Sequence, residues 1–182
     1  MRLFVGVPLP DNLRTAVFEY VRRWRSRISG IKYVEPENLH ITLKFIGEVD
    51  DSRVPAIKDL LSSVQTHPFT INARGVGAFP SSSSPRVVWV GIREGFEDLV
   101  ALSRDIDDLL VSEGIPRERK ASHPHITIGR VKRYDPEITR FLARDIDLEF
   151  GSFTFERFAL FRSTLTPDGP IYDILAEYEV SK

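Results

Sequence analysis

Cysteine is absent from the 182 residues, which excludes disulfides, thiolate nucleophiles and cysteine-bound zinc. Any chemistry falls to His, Thr, Ser, carboxylates, Arg and Lys. An excess of charge of one sign is missing too, because 25 basic residues face 26 acidic ones. With no general positive field, contact with RNA has to come from a local basic patch, and long RNA held by backbone charge alone is not expected. Nor is there a long apolar run. Residues 1–7 lead straight into Pro8-Leu9-Pro10 and a charged helix. That stretch is too short for a signal or membrane segment, so a cytoplasmic protein without membrane association is expected. Neither glycine-rich phosphate fingerprint occurs, since Gly75-Val76-Gly77 lacks the further glycines and the Lys and is followed by Phe79-Pro80. What is present, 42% hydrophobic and 28% charged residues, suits a folded protein with its own core.

Hydrophobic periodicity divides the chain into alternating strands and helices. Residues 2–8 read as a buried strand. Asp11 then caps a helix to about residue 28, with Leu13, Val17, Tyr20, Val21 and Trp24 at helical spacing and Gly30 as its stop. A short strand (32–34), a turn (35–38) and a strand over 39–46 follow. Ser52 is expected to cap a helix to residue 64. Residues 69–75 alternate as a strand, 76–80 read as a turn, 81–85 as a flexible serine-rich loop, and 86–91 as a strand. From residue 91 the pattern starts over. A helix spans 95–111, Gly114-Ile115-Pro116 stops it, and Arg117-Glu118-Arg119-Lys120 forms a basic loop. A strand over 125–131, a short helix over 136–143, and two strands over 150–161 and 171–180 joined by residues 163–170 complete the chain.

This predicts an α+β fold of two pseudo-symmetric, interleaved lobes of mostly antiparallel sheet, with helices outside and a cleft between. The whole of 1–182 is expected to be one bilobal domain, with the pseudo-repeat falling roughly at 1–91 and 92–182, and to be monomeric.

The most informative feature is a phrase written twice, once in each half: His40-Ile41-Thr42-Leu43 and His125-Ile126-Thr127-Ile128. On a strand, side chains alternate between faces, so each His shares a face with the Thr two positions on while Ile41 and Ile126 point into the core. Two such strands about an approximate two-fold axis bring two imidazoles to one cleft with a hydroxyl beside each. That is an acid, a base and two anion donors. A single His-x-Thr carries little weight, because an inward strand His is commonly a hydrogen-bonded core residue. Two copies sharing His, Ile, Thr and an aliphatic residue are a different matter.

The stretches His40 to Gly47 and Pro124 to Arg130 resemble the paired motifs of the two-histidine phosphoesterases, specifically the RNA 2′,3′-cyclic phosphodiesterases once called 2′-5′ RNA ligases. The resemblance extends over nearly the whole chain, through Arg2-Leu3-Phe4-Val5, Arg86-Val87-Val88-Trp89-Val90-Gly91 and Ser163-Thr164-Leu165-Thr166-Pro167. It implies metal-independent hydrolysis of a 2′,3′-cyclic phosphate to a 2′-phosphomonoester, with no cofactor. It implies His40 as acid on the leaving oxygen and His125 as base on water, roles that sequence symmetry leaves interchangeable. It also makes Arg130 a phosphate contact beside Thr42 and Thr127. Strict alternation puts Arg130 on the face opposite the imidazoles, so the strand has to end or bulge there. Lys44 shares the face of His40 by parity and is either a phosphate-attracting group or a solvated edge residue. Phe45 is either core or a base-stacking platform. The loop Arg117, Arg119, Lys120 is either a guide for RNA or merely solvated.

Partners implied are RNA with a 2′,3′-cyclic end, such as transfer-RNA fragments, or small cyclic nucleotides including an ADP-ribose cyclic phosphate. Three other readings compete. His123, His125 and His40 together would make a three-imidazole zinc site. His123-Pro124-His125 brushes against the nucleotide-binding histidine-triad pattern, but Thr127 stands where that pattern wants a third His. An RNA-end-binding or 2′-5′ joining module with little hydrolysis would use the same two histidines.

Overall fold

The structure is a computed structural model and describes residues 1–180. Nine strands and four helices alternate in the order β1 (Arg2–Pro8), α1 (Asp11–Arg25), β2 (Ile31–Tyr33), β3 (His40–Glu48), α2 (Val54–Ser62), β4 (Phe69–Pro80), β5 (Pro85–Ile92), α3 (Phe96–Leu110), β6 (His125–Val131), α4 (Pro136–Arg144), β7 (Glu149–Phe155), β8 (Arg157–Thr166) and β9 (Gly169–Glu179). The strands join edge to edge as β7-β4-β5-β6-β3-β1-β8-β9, with β2 paired to β6. Every pairing is antiparallel. The fold is α+β in two lobes. One is built on β3, β1, β8 and β9 and carries α2 and α3; the other is built on β6, β5, β4 and β7 and carries α1 and α4. Among the described residues, no helix is long and apolar enough to cross a membrane.

The seam between the lobes is narrow. β3 and β6 meet at one register, Ile41 opposite Ile126, and both side chains are fully buried. The helices bury the faces their periodicity marks: in α1, Leu13, Val17, Tyr20, Val21 and Trp24 all go inward. Beneath α1, the Tyr20 hydroxyl donates to Asp145 Oδ2 at 2.7 Å, and Arg144 holds the same carboxylate at 2.8 Å.

Several boundaries differ from expectation, each for a local reason. Pro10, not Asp11, is the N-cap of α1, and α1 ends at Arg25. Asp11 is already helical, with its carboxylate in the first turn where the helix dipole favours it. Asp50, not Ser52, caps the second helical segment, accepting from the Ser52 N–H at 2.9 Å and the Ser52 hydroxyl at 2.7 Å. Residues 76–80 are not a turn. β4 runs through them, with a register shift between Ala73 and Val76 where Gly75 takes φ +77°, and the chain reverses only at 81–84. The stretch 150–161 divides at Glu156 into β7, which pairs with β4 at one end of the sheet, and β8, which pairs with β1 toward the other. Most of 163–170 continues β8 and β9, leaving only Pro167 and Asp168 between them.

Ile126→Ala at the seam removes a fully buried branched side chain, and the loss expected from urea denaturation is about 3 kcal/mol.

Candidate active site

Each His-x-Thr phrase opens a strand, and the Ile41–Ile126 pairing sets the two against each other. Antiparallel register about that pair places His40 across from Thr127 and Thr42 across from His125. All four side chains share one face. The two histidines are then diagonal neighbours, about 7–8 Å apart at the backbone, which leaves room for one small anion. Gly6 on β1 lets β3 and the His40 ring pack close: a Cβ there would lie 2.9 Å from the Ile41 carbonyl oxygen and 3.4 Å from His40 Cδ2.

The rings are held alike. His40 Nδ1 lies 2.7 Å from the Asn38 carbonyl oxygen, and His125 Nδ1 lies 2.6 Å from that of His123. A carbonyl only accepts, so in both rings Nδ1 carries the proton and Nε2 presents a lone pair while the ring is neutral. The turn carrying Asn38 is itself fastened, because its Nδ2 donates to the Pro170 carbonyl at 2.9 Å. The Nε2 atoms differ. That of His40 accepts from the Thr42 hydroxyl at 2.9 Å, whereas that of His125 has no protein partner among the described residues.

Aromatic rings wall both imidazoles. Phe4 lies 4.8 Å and Tyr172 5.4 Å from the His40 ring, and Phe79 meets His125 edge-on at 5.0 Å. Burial, the largest effect, lowers the pKa of both histidines. For His40 the nearby His125 adds to it against the Asn38 hydrogen bond; for His125 the charges of His123 and Arg130 add to it against the His123 carbonyl. Tyr172 is shifted upward by burial.

Immediately after each motif the strand bulges. Across from β1, Thr42 pairs with Gly6 but Lys44 with Val5, so Leu43 is supernumerary; across from β5, Thr127 pairs with Trp89 but Gly129 with Val88, so Ile128 is. One extra residue reverses the parity of everything that follows. Arg130 is thereby carried onto the histidine face, where it lines the cleft with His40, Thr42 and Thr127. Phe45 arrives by the same shift, 48% exposed, with the Arg2 guanidinium 5.1 Å from its ring centre. It is neither core nor remote from the site.

Lys44 is moved the other way, and the expectation that it faces phosphate is corrected. It is 3% exposed on the reverse side, paired with Asp107 at 2.7 Å and Glu118 at 3.2 Å, and it donates to the Pro116 carbonyl at 2.9 Å. It fastens the start of the basic loop to β3. Within that loop Arg117 is paired with Asp108, and Arg119 and Lys120 line a separate hollow that shares Phe45 with the cleft.

The cleft has a volume of about 940 Å³ and draws on both lobes. Sequence reasoning missed much of its lining. Arg2, Lys32 and Lys132 supply positive charge, and Phe4, Leu165, Ile171 and Tyr172 supply the apolar side. Arg2, Phe4 and Leu165 lie in stretches that carry the family resemblance without being marked as site residues; Lys32 and Lys132 carry no local signal. His123 packs among Phe79, Trp89 and Phe96 at 5.2–5.3 Å. Among the described residues, no three His, Asp or Glu side chains are grouped to hold a metal ion.

The sequence profile of LigT-like phosphoesterases matches the chain twice, over residues 7–89 and 90–172. A protein of Archaeoglobus fulgidus named RNA 2′,3′-cyclic phosphodiesterase is 44% identical over 179 residues, covering 98% of this chain and 100% of its own. One of the same name from Methanocaldococcus jannaschii is 38% identical over 180 residues, covering 98% and 100%. Among solved structures, TT0787 of Thermus thermophilus superimposes with a TM-score of 0.82 at 33% identity, covering 99% of this chain and 98% of that one. Escherichia coli LigT bound to 3′-AMP gives 0.80 at 24% identity over 100% and 98%, a likeness of fold.

Two measurements check this geometry. Because the folded pKa of each histidine lies below its unfolded value near 6.5, the unfolded chain binds more protons as pH falls through that region. These groups therefore cost no stability above about pH 7, and stability declines from about pH 6.5 toward their folded values; His40→Asn should decline less steeply in urea titrations over that window. Lys44→Ala leaves two carboxylates without their cation, and the expected loss is about 3 kcal/mol in the same assay.

Proposed function

The chain belongs to the LigT-like phosphoesterase family, and on that premise we propose that it is an RNA 2′,3′-cyclic phosphodiesterase that opens cyclic ends to 2′-phosphomonoesters. The observation that carries the reading is the pair of imidazoles set diagonally across one seam, both fixed through Nδ1 and each with a threonine across from it. The names of the 44% and 38% identical relatives support the same chemistry.

In this reading the cyclic phosphate sits between the rings. The open lone pair on His125 Nε2 suits it to take the proton from water as that oxygen attacks phosphorus in line. The bond from phosphorus to O3′ breaks, and His40 Nε2 delivers its proton to O3′ on the far side. His125 leaves protonated and His40 neutral, so one proton returns through solvent before the next turnover. Both rings are biased toward the neutral form in the free protein, and the anionic substrate offsets that bias, raising the pKa of whichever ring becomes the acid. Thr42, Thr127 and Arg130 donate to the non-bridging oxygens where charge gathers. Ring strain in the substrate supplies driving force, so side chains suffice without a cofactor or divalent ion. The proposed setting is cytoplasmic, as a monomer, on RNA ends such as transfer-RNA fragments or on cyclic nucleotides.

The test is turnover of an oligoribonucleotide bearing a 2′,3′-cyclic end in EDTA, with the position of the remaining phosphate determined. A 2′-phosphate product is expected, and His40→Ala and His125→Ala should each lower kcat by at least about a hundredfold. Near-normal turnover in either variant, or abolition by EDTA, contradicts the mechanism. Joined 2′-5′ product from RNA that also carries a 5′-hydroxyl identifies the ligating module instead, and binding without product identifies a recognition module.

A further inference from the structure

The cleft continues past the reacting group along the other lobe. Lys32 of β2 pairs directly with Arg130, and Lys132 follows just beyond the end of β6, its N–H donating to the Gly30 carbonyl at 2.7 Å. All three line the cleft, and among the described residues none has a carboxylate within ion-pair distance. The facing wall is of different character. Leu165, 66% exposed, pairs with Pro170 and shares its face of the β8–β9 hairpin with Tyr172, and the three form an apolar lip. Cations on one side and exposed apolar surface on the other suit a chain whose phosphates and bases project in opposite directions.

We propose that Lys32 and Lys132 form a second anion subsite, which takes the phosphate on the 5′ side of the ribose bearing the cyclic group, while the apolar lip headed by Leu165 covers the base. The inference rests on the cyclic phosphodiesterase reading for its substrate. The shared chemistry is a second phosphate one ribose away, supplied either by the next phosphodiester of an RNA chain or by a terminal 5′-phosphate.

Three substrates separate these at matched ionic strength in EDTA: a nucleoside 2′,3′-cyclic phosphate with a free 5′-hydroxyl, the same compound with a 5′-phosphate, and a dinucleotide with a cyclic end. The expected result is a kcat/KM about tenfold higher when the second phosphate is present, the order of one hydrogen bond to a charged group. That advantage should drop below about twofold in Lys32→Gln/Lys132→Gln, and its salt dependence should lose a slope of about 0.7 per phosphate contact. A gain with both phosphorylated substrates supports recognition of the charge itself. A gain confined to the dinucleotide assigns the subsite to an RNA chain, and one confined to the 5′-phosphate assigns it to a terminal group. Equal turnover of all three, or an advantage that survives the double replacement, overturns the proposal. Should none be opened, the cyclic phosphodiesterase reading fails separately. The subsite is then decided by binding of a nucleoside 2′,5′-bisphosphate against its 2′-monophosphate: a tighter Kd lost in the double variant supports it, and equal Kd values overturn it.

Discussion

Everything in the site depends on one backbone pairing, Ile41 opposite Ile126, where the two lobes join into a single sheet. Because side chains on a strand repeat with period two, that one register decides which residues confront each other across the seam. Slipping it by one would send both histidines to the buried face and both isoleucines to the cleft. Burying the two isoleucines completely, with Leu43 and Ile128 behind them, is what holds the register against slippage. The apolar half of each motif thus positions the polar half.

The paired bulges explain how a short motif builds more than its own four residues. An unbroken strand would leave Arg130 and Phe45 on the wrong side of the sheet. A single supernumerary residue after each threonine turns them into the cleft and turns Lys44 and Gly129 out of it. The exchange has different results in the two lobes. After the second motif the slot on the reverse face is held by a glycine, and β2 closes alongside. After the first it is filled by Lys44, whose three contacts gather Asp107, Glu118 and Pro116 where a strand equivalent to β2 is lacking. The near two-fold symmetry of the motifs therefore stops at their edges, and the two sides of the cleft differ in charge and shape.

Electrostatics complete the arrangement. Fixing both Nδ1 atoms on backbone carbonyls orients both Nε2 atoms, and burial favours the neutral form of both rings. Arg2, Arg25, Lys32, Arg130 and Lys132 line the cleft against Glu35, Glu37 and Asp168, which gives a nearly neutral protein a pocket with an excess of positive charge. In the proposed reaction, anion selectivity and proton transfer would both draw on this low-dielectric enclosure.

What the sequence determined by itself is whatever depends on local periodicity: the buried stripe of α1, the strands bearing the motifs, the shared face of each His and Thr, and the repetition that announces two lobes. These follow from neighbours three or four residues apart on a helix and two apart on a strand. Tertiary structure alone decided the rest. Residues 76–80 look like a turn but are held as strand by β5, and the stretch 150–161 is divided between opposite ends of the sheet. Lys44 had the parity of a site residue and lost it to a bulge that no local pattern marks. Lys32 and Lys132 entered the cleft because β2 pairs with β6 across nearly a hundred residues of chain. Long-range pairing sets register, and register, not spacing, decides which side chains meet.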